Sequence, residues 1–470
     1  MRRSRPGRAA LPALLLLAGS APARAAEVTR VVSGFDQGNH LDINGSISWL
    51  HEIRRGYIKR ESETAPTTPT SAGQPTQTGT PQYLDPEKDL AYLQTRDVLN
   101  LRVDVGVFWD LGFHIEAPLV LHDARSLDFD QSASGCVYPG SGTRPTCVNS
   151  QNSTLLRDGI LPGYMKNSYG LDAQHNRPFD APSSTVFRGP NRSGLESLNL
   201  GLTWAAFNQA RDDTKPTWTL GFDAKLDVGG DMRFDPANPG GNTGVGLGYH
   251  QLVWSTVVSR RFRYFDPYFG LWYMLPARTS GGPFQDYGNA QLGGPQQQLG
   301  LQIGFEQIAW EVPQSHQRVT IEFRGHATEH LKGRAQTPLW EALSGSSKCP
   351  SEPTQCRTGI DGDLNGDGKP DPYPGVTDVQ AYASLGGNVG VNVQVGPHVR
   401  FRALGGLATD LPHFITYASS GSASESGASP GKSTTPTNPV YREVIDLPGR
   451  RFRVEGSEIW SLFVEGMLLF

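Results

Sequence analysis

From Leu99 to Trp109 the chain alternates: Leu99, Leu101, Val103, Val105, Val107 and Trp109 are apolar, with Asn100, Arg102, Asp104 and Gly106 between them. Side chains two apart share a face only in an extended strand, so this is a strand with one greasy and one polar side. Asp110-Leu111-Gly112 reads as a turn into a second strand of the same kind, in which Phe113, Ile115, Ala117, Leu119 and Leu121 alternate with His114, Glu116 and His122. Together they predict a β-hairpin. In a soluble sandwich its polar face meets water; in a membrane barrel its greasy face meets lipid.

The same pattern returns along the chain. Leu198 to Trp204 is followed by Trp218 to Val228, and the less regular Leu252 to Phe262 by Tyr268 to Leu275. Leu299 to Phe305 pairs with Val319 to Phe323, and Leu385 to Val395 with Val399 to Leu407. An opening strand around Leu41 to Tyr57 and a closing one from Trp460 to Phe470 bring the expected count to about twelve. Short turns at 110–112, 209–216, 264–267, 312–318 and 396–398 alternate with long connections at about 60–90, 129–192, 231–247, 282–296, 336–376 and 421–449. An even count with strictly alternating connection lengths predicts an all-β, antiparallel up-and-down barrel across 41–470. Aromatics gather beside the short turns, as at Trp109, Phe113, Phe207, Trp218, Phe265 and Trp310, which fits an interfacial girdle. The turn at Pro397 and His398 lacks one. Thr64 to Pro81 and Ser419 to Pro439 are rich in Thr, Ser, Gly, Pro and Gln and read as surface loops without a core of their own.

The N-terminus carries Arg2, Arg3, Arg5 and Arg8, then the apolar run Ala9 to Ala18, then small residues to Ala26, which reads as a secretory signal peptide over 1–25. Residues 26–40 follow as a periplasmic segment. Without the signal peptide 37 basic residues face 46 acidic ones, a formal charge of −9 that disfavours nucleic acid as a partner. No later run of 18 apolar residues could form a transmembrane helix. Hydrophobic content is 37%, low for a soluble domain but suited to strands that need apolar residues at every second position. Four cysteines form two close pairs, Cys136 with Cys147 and Cys349 with Cys356. Export predicts disulfides, and of the three possible connectivities nearness in sequence favours the two local bridges.

In the last eleven residues Trp460, Leu462, Val464, Leu468 and the terminal Phe470 share one side. This resembles the closing strand of Gram-negative outer-membrane β-barrels, whose terminal Phe belongs to the signal read by their insertion machinery. The resemblance implies a porin-like transmembrane barrel in outer-membrane lipid, with short periplasmic turns and long extracellular loops.

Within the loop 336–376, residues 361–371 place Asp363, Asn365 and Asp367 at steps of two, then Gly368 and Asp371. The spacing resembles the calcium loops of EF-hands, dockerins and thrombospondin type 3 repeats, so a structural Ca2+ is expected. Pro374 stands where EF-hands carry a bidentate Glu, and Asp378 is a candidate substitute. A solvated acidic loop is the alternative.

The polar faces carry Arg102, Asp104, His114, Glu116, Asp223, Lys225, Asp227, Glu306, Glu322, Arg324, His326, Arg400, Arg402 and Glu465, with His122 continuing the first hairpin. These would line a lumen. Either they select which small hydrophilic solutes diffuse through, or they pair across a narrow lumen and fill it. The second case suits a non-conducting surface or scaffold barrel, an adhesin or part of an envelope-spanning assembly with protein partners. No His-x-Ser pair of the kind used by outer-membrane phospholipases is present, and the rim pairs His122-Asp123 and Glu329-His330 are the weak enzymatic candidates. The expectation is a channel, not an enzyme.

Overall fold

The computed structural model describes residues 26–36, 39–64, 67–68, 76–77, 82–129, 185–233, 242–280, 282–284, 294–344, 375–418 and 443–470. Twelve long strands form the wall: β1 Ile43–Thr64, β2 Gln82–Phe108, β3 Leu111–Phe129, β4 Leu198–Phe207, β5 Thr217–Leu226, β6 Tyr249–Ser259, β7 Phe265–Arg278, β8 Gln298–Val312, β9 Gln317–His330, β10 Tyr382–Val395, β11 Val399–Asp410 and β12 Phe452–Leu469. Each pairs antiparallel with its neighbours in sequence order, and β12 pairs with β1 from Phe452↔Arg60 to Leu469↔Asn44. Reciprocal backbone bonds between Phe470 and Ile43 finish that seam. Every strand therefore has two partners, which removes the exposed edges an open sheet would leave in lipid.

The alternation predicts the two faces correctly. Leu101, Val103, Leu202, Trp254, Ile303, Val391, Phe401 and Leu462 are all at least 40% exposed, forming an apolar belt around the outside. No second sheet or helical layer covers it among the described residues, so the belt faces hydrocarbon and the barrel is transmembrane. No helix of the described residues is long and apolar enough to cross a membrane. Phe108, Trp109, Phe207, Phe262, Tyr264, Trp310 and Phe470 are exposed near the short turns, a girdle of amphipathic rings at one interface. At the turn lacking an aromatic, His398 stacks on Phe470 of the adjacent strand with centroids 6.4 Å apart.

Two departures matter. β1 and β2 run on as a hairpin to Thr64 and from Gln82, so the first long connection is shorter than the expected 60–90. A bulge at Leu121 places His122 opposite Asp97 on the outer face, where Asp97 also bonds His51 at 2.8 Å. His122 therefore does not line the lumen, because one extra residue in a strand reverses the parity beyond it.

The long-loop end is capped. Leu339, Trp340, Leu343, Val376, Ile415, Ile445 and Phe452 are at most 1% exposed and belong to segments from two connections and the start of β12. A ladder of Gly333–Ala335 with Thr377–Val379, the bond from Thr377 Oγ1 to the Ile415 carbonyl (2.6 Å), and the buried Arg192–Glu341 ion pair join them. Residues 336–344 are thus packed structure, and Asp378 is bonded to Arg334 at 3.3 Å, inside this cap.

Candidate functional site: the barrel lumen

The fourteen expected lining residues lie on inward positions, except Asp227, which follows β5 directly and still borders a lumen cavity. Most are ion-paired. Arg102 bonds Asp104 (2.7 Å) and Glu116 (3.3 Å), His114 Nε2 meets Asp223 (2.6 Å), and Glu322 receives both Arg324 (2.6 Å) and Arg402 (2.7 Å). Tyr268 donates its hydroxyl to Glu322 at 2.7 Å. Glu306 accepts from Thr320 (3.1 Å) and has Arg318 at 3.5 Å.

The direction of these contacts decides what they do. Arg102–Asp104 and Arg324–Glu322 lie within one strand, Arg102–Glu116 joins neighbours, and His114–Asp223 and Arg402–Glu322 skip a single strand. None of these spans the barrel, whose backbone diameter is about 24 Å for twelve strands at the usual spacing and tilt. The pairs therefore run along the wall rather than across it. Gly201 makes the His114–Asp223 bridge possible, since a Cβ there would sit 2.2 Å from the imidazole and 2.3 Å from the carboxylate.

What does cross the lumen is the segment before β1. The 3-10 turn Glu27–Thr29 places Thr29 Oγ1 2.6 Å from Ser259 on β6, and the Glu27 amide donates to Glu306 on β8 at 2.6 Å. The Glu27 carboxylate is paired with Arg400 of β11 and with Arg30 at 2.8 Å. Further on, Gly34 exchanges backbone bonds with Trp109, at the turn between β2 and β3. Contacts with strands around the whole circumference put residues 26–34 in the lumen at its short-turn end. Burial alone would raise the Glu27 carboxyl, but Arg30, Arg400 and Arg402 outweigh it and hold it at about 2.

Two cavities lie along the lumen. One of about 350 Å³ is at the short-turn end, bordered by Glu27, Thr29, Arg30, Arg318 and Arg400. A second of about 390 Å³ lies further in, bordered by Ser48, Glu52, Arg96, Asn100, Glu116, Lys225 and Asp227, with an apolar side of Leu50, Val98, Leu247 and Phe463. This apolar contribution was not expected from the alternation.

Near the cap, Ser384 Oγ is 3.2 Å from His330 Nε2 and donates to Asp410 at 2.5 Å. In a hydrolytic triad the acid orients the histidine. Here Asp410 takes the serine proton itself, is also bonded by Ser457 (3.1 Å), and lies 3.6 Å from Arg54. The serine thus donates to the acid, an arrangement unlike that of a triad. Of the other rim candidates, Asp123 is paired with Arg125 (2.9 Å), and His330 stacks on Tyr382 with centroids 4.3 Å apart.

Glu27, Thr29, Arg30, Glu52, Arg96 and Arg318 were missed as lumen groups. For Glu52 the signal was mixed, because it shares the inner face of β1 with the apolar Leu50. Residues 26–34 carry no periodic pattern, and nothing in them announces that they enter the barrel. The four cysteines, the calcium-loop residues Asp363, Asn365, Asp367 and Asp371, and the signal peptide lie outside the described residues.

The chain matches no protein-family model and no curated protein. Solved structures that it resembles are an outer membrane channel from Pseudomonas putida F1 (8% identity, TM-score 0.40, 91% of this chain and 96% of that one) and a FadL homologue from Pseudomonas aeruginosa (10%, 0.26, 92% and 90%). It is also similar to the outer membrane protease OmpT from Escherichia coli (8%, 0.24, 91% and 97%). At these identities and TM-scores the assignment of the barrel rests on strand pairing and the lipid-facing belt.

Proposed function

We propose that this protein is an outer-membrane channel through which small hydrophilic solutes diffuse, held shut in this conformation by its own N-terminal segment. The single observation that carries the reading is the direction of the luminal ion pairs. They follow the wall, so removing residues 26–34 empties the short-turn end without breaking the barrel's own polar network. The short turns would face the periplasm and the long loops the cell surface. Planar-bilayer recording on purified, folded protein tests this. The full chain is expected to open rarely, and a variant lacking Ala26 to Gly34 to conduct steadily; a folded deletion variant without conductance overturns the channel.

A second reading, a non-conducting scaffold or adhesin barrel, is favoured by the cap of packed loops, which exceeds what a plain pore needs. Stable protein partners retained through purification, together with a silent deletion variant, would establish it. For the loops 129–192 and 336–376 we further propose the local bridges Cys136–Cys147 and Cys349–Cys356 and a Ca2+ held by Asp363, Asn365, Asp367 and Asp371. Intact mass before and after reduction, and metal analysis of the purified protein, test these.

A further inference from the structure

Asp266 at the short-turn end has no bonding partner among the described residues, and deeper in the lumen Glu52 and Lys225 are in the same state. Neither has an ion pair or hydrogen bond among the described residues, yet both border the same cavity of about 390 Å³. They reach it from β1 and β5, strands about a third of the way round the barrel from each other. Around them Arg96 is bonded to Glu196 at 2.6 Å and Glu116 to Arg102 (3.3 Å) and Asn199 (3.2 Å), while the Asp227 carboxylate accepts the Gly248 amide and has no ion pair among the described residues. Glu52 lies across from Arg96 and near Arg54, but those guanidiniums pair with Glu196 and Asp410, and an ion in a partly desolvated cavity is costly without a bonded partner of its own. Two such ions of opposite sign, facing one space, call for a partner that carries both charges.

The remaining lining narrows the chemistry. Asn100 Oδ1 and Asp227 Oδ1 are buried acceptors without a donor, on the same cavity as Glu52. They add hydrogen-bond capacity for an ammonium group, whereas Lys225 is a point charge suited to a carboxylate. Leu50, Val98, Leu247 and Phe463 supply an apolar patch. The cavity volume falls at the small end of ligand sites, which span roughly 300–1,000 Å³.

We infer that this cavity is a binding site for a small zwitterion with an apolar substituent, an α-amino acid or a molecule of the same charge pattern. Its carboxylate pairs with Lys225, its ammonium with Glu52 and the free acceptors, and its side chain lies on the Leu50–Val98–Phe463 patch. As a transported solute this ligand rests on the channel reading.

The test is equilibrium binding at pH 7 to purified, detergent-folded protein. L-phenylalanine is compared with 3-phenylpropionate, which lacks the ammonium, and 2-phenylethylamine, which lacks the carboxylate. Phenylalanine is expected to bind at least tenfold more tightly than either. Lys225→Met is expected to abolish its advantage over the amine, and Glu52→Gln its advantage over the acid, with heat-modifiable gel migration reporting a folded barrel for each. Equal binding of all three compounds, or variants that keep the original ranking, overturns the site. Binding without discrimination in a chain that conducts after the N-terminal deletion sinks this inference and leaves the channel. Discrimination in a chain that never conducts sinks the channel and leaves the site.

Discussion

Replacing Glu27 with Gln should unlatch the N-terminal segment. The Glu27 carboxyl is held at about 2 instead of 4.5 by Arg30, Arg400 and Arg402, acting against its burial. That depression corresponds to about 3 kcal/mol of preference for the docked, charged state, at 1.36 kcal/mol per unit. Because the docked value lies below the free one, this stabilisation is complete above about pH 4.5. It declines as protonation sets in and is lost as pH falls through about 2. Gln keeps the shape and some hydrogen bonding but not the charge, so most of the 3 kcal/mol disappears, a rise of about 100-fold in the undocked fraction at neutral pH. Single-channel recording reads this as open probability. The wild-type channel should open progressively on acidification between pH 4.5 and 2, and the Gln variant should be open more often at pH 7 with no further response in that window. A folded variant whose open probability and acid response match the wild type refutes the latch.

Three other perturbations probe the frame. Ile303→Arg, at the most exposed large apolar position on β8, should cost about 2–4 kcal/mol in unfolding from lipid vesicles, because the charge enters hydrocarbon, while Gln302→Arg beside it faces the lumen and should cost much less. Gly201→Ala places a Cβ 2.2–2.3 Å from His114 and Asp223 and should lower stability by about 1–3 kcal/mol by forcing their bridge apart; in an Asp223→Asn background the penalty should shrink, which a thermal double-mutant cycle measures. Ser384 should resist labelling by a fluorophosphonate, since its proton is committed to Asp410; rapid labelling that depends on His330 would restore a hydrolase reading.

How much of this was legible in the sequence follows from what sets each feature. The wall was legible because the belt and the pleat impose a period of two on every strand, and because Phe470 ends the closing strand where β1 begins. The inward charges followed from the same parity. His122 did not, since the bulge at Leu121 inserts one residue that no alternation announces. Nor did Glu52, because β1 mixes signals: Leu50 faces inward and His51, bonded to Asp97, faces outward. The docked segment was invisible for a different reason. Its hold depends on side chains from β6, β8 and β11, hundreds of residues away in sequence, and polar contacts of that kind leave no local pattern.

The two ends of the lumen hold segments bound by interactions of different kinds, and this decides where opening is expected. The N-terminal segment is held mainly by polar groups that water can replace, with roughly 3 kcal/mol from Glu27. The cap buries Leu339, Trp340, Leu343, Val376, Ile415, Ile445 and Phe452 almost completely. At about 1.5–3 kcal/mol for each such side chain, separating the cap costs about 10–20 kcal/mol. On the channel reading, opening therefore belongs to the short-turn end, and any passage must run beside the packed cap. The cavity there, beside Arg54, Tyr92, Thr337, Tyr382 and Asp410, is about 100 Å³, against about 350 Å³ at the short-turn end. Deleting residues 26–34 should accordingly raise the frequency of opening without raising the largest solute admitted. Liposome swelling with sugars of increasing size checks this, and a deletion variant that admits larger sugars would place the size limit at the segment instead of the cap.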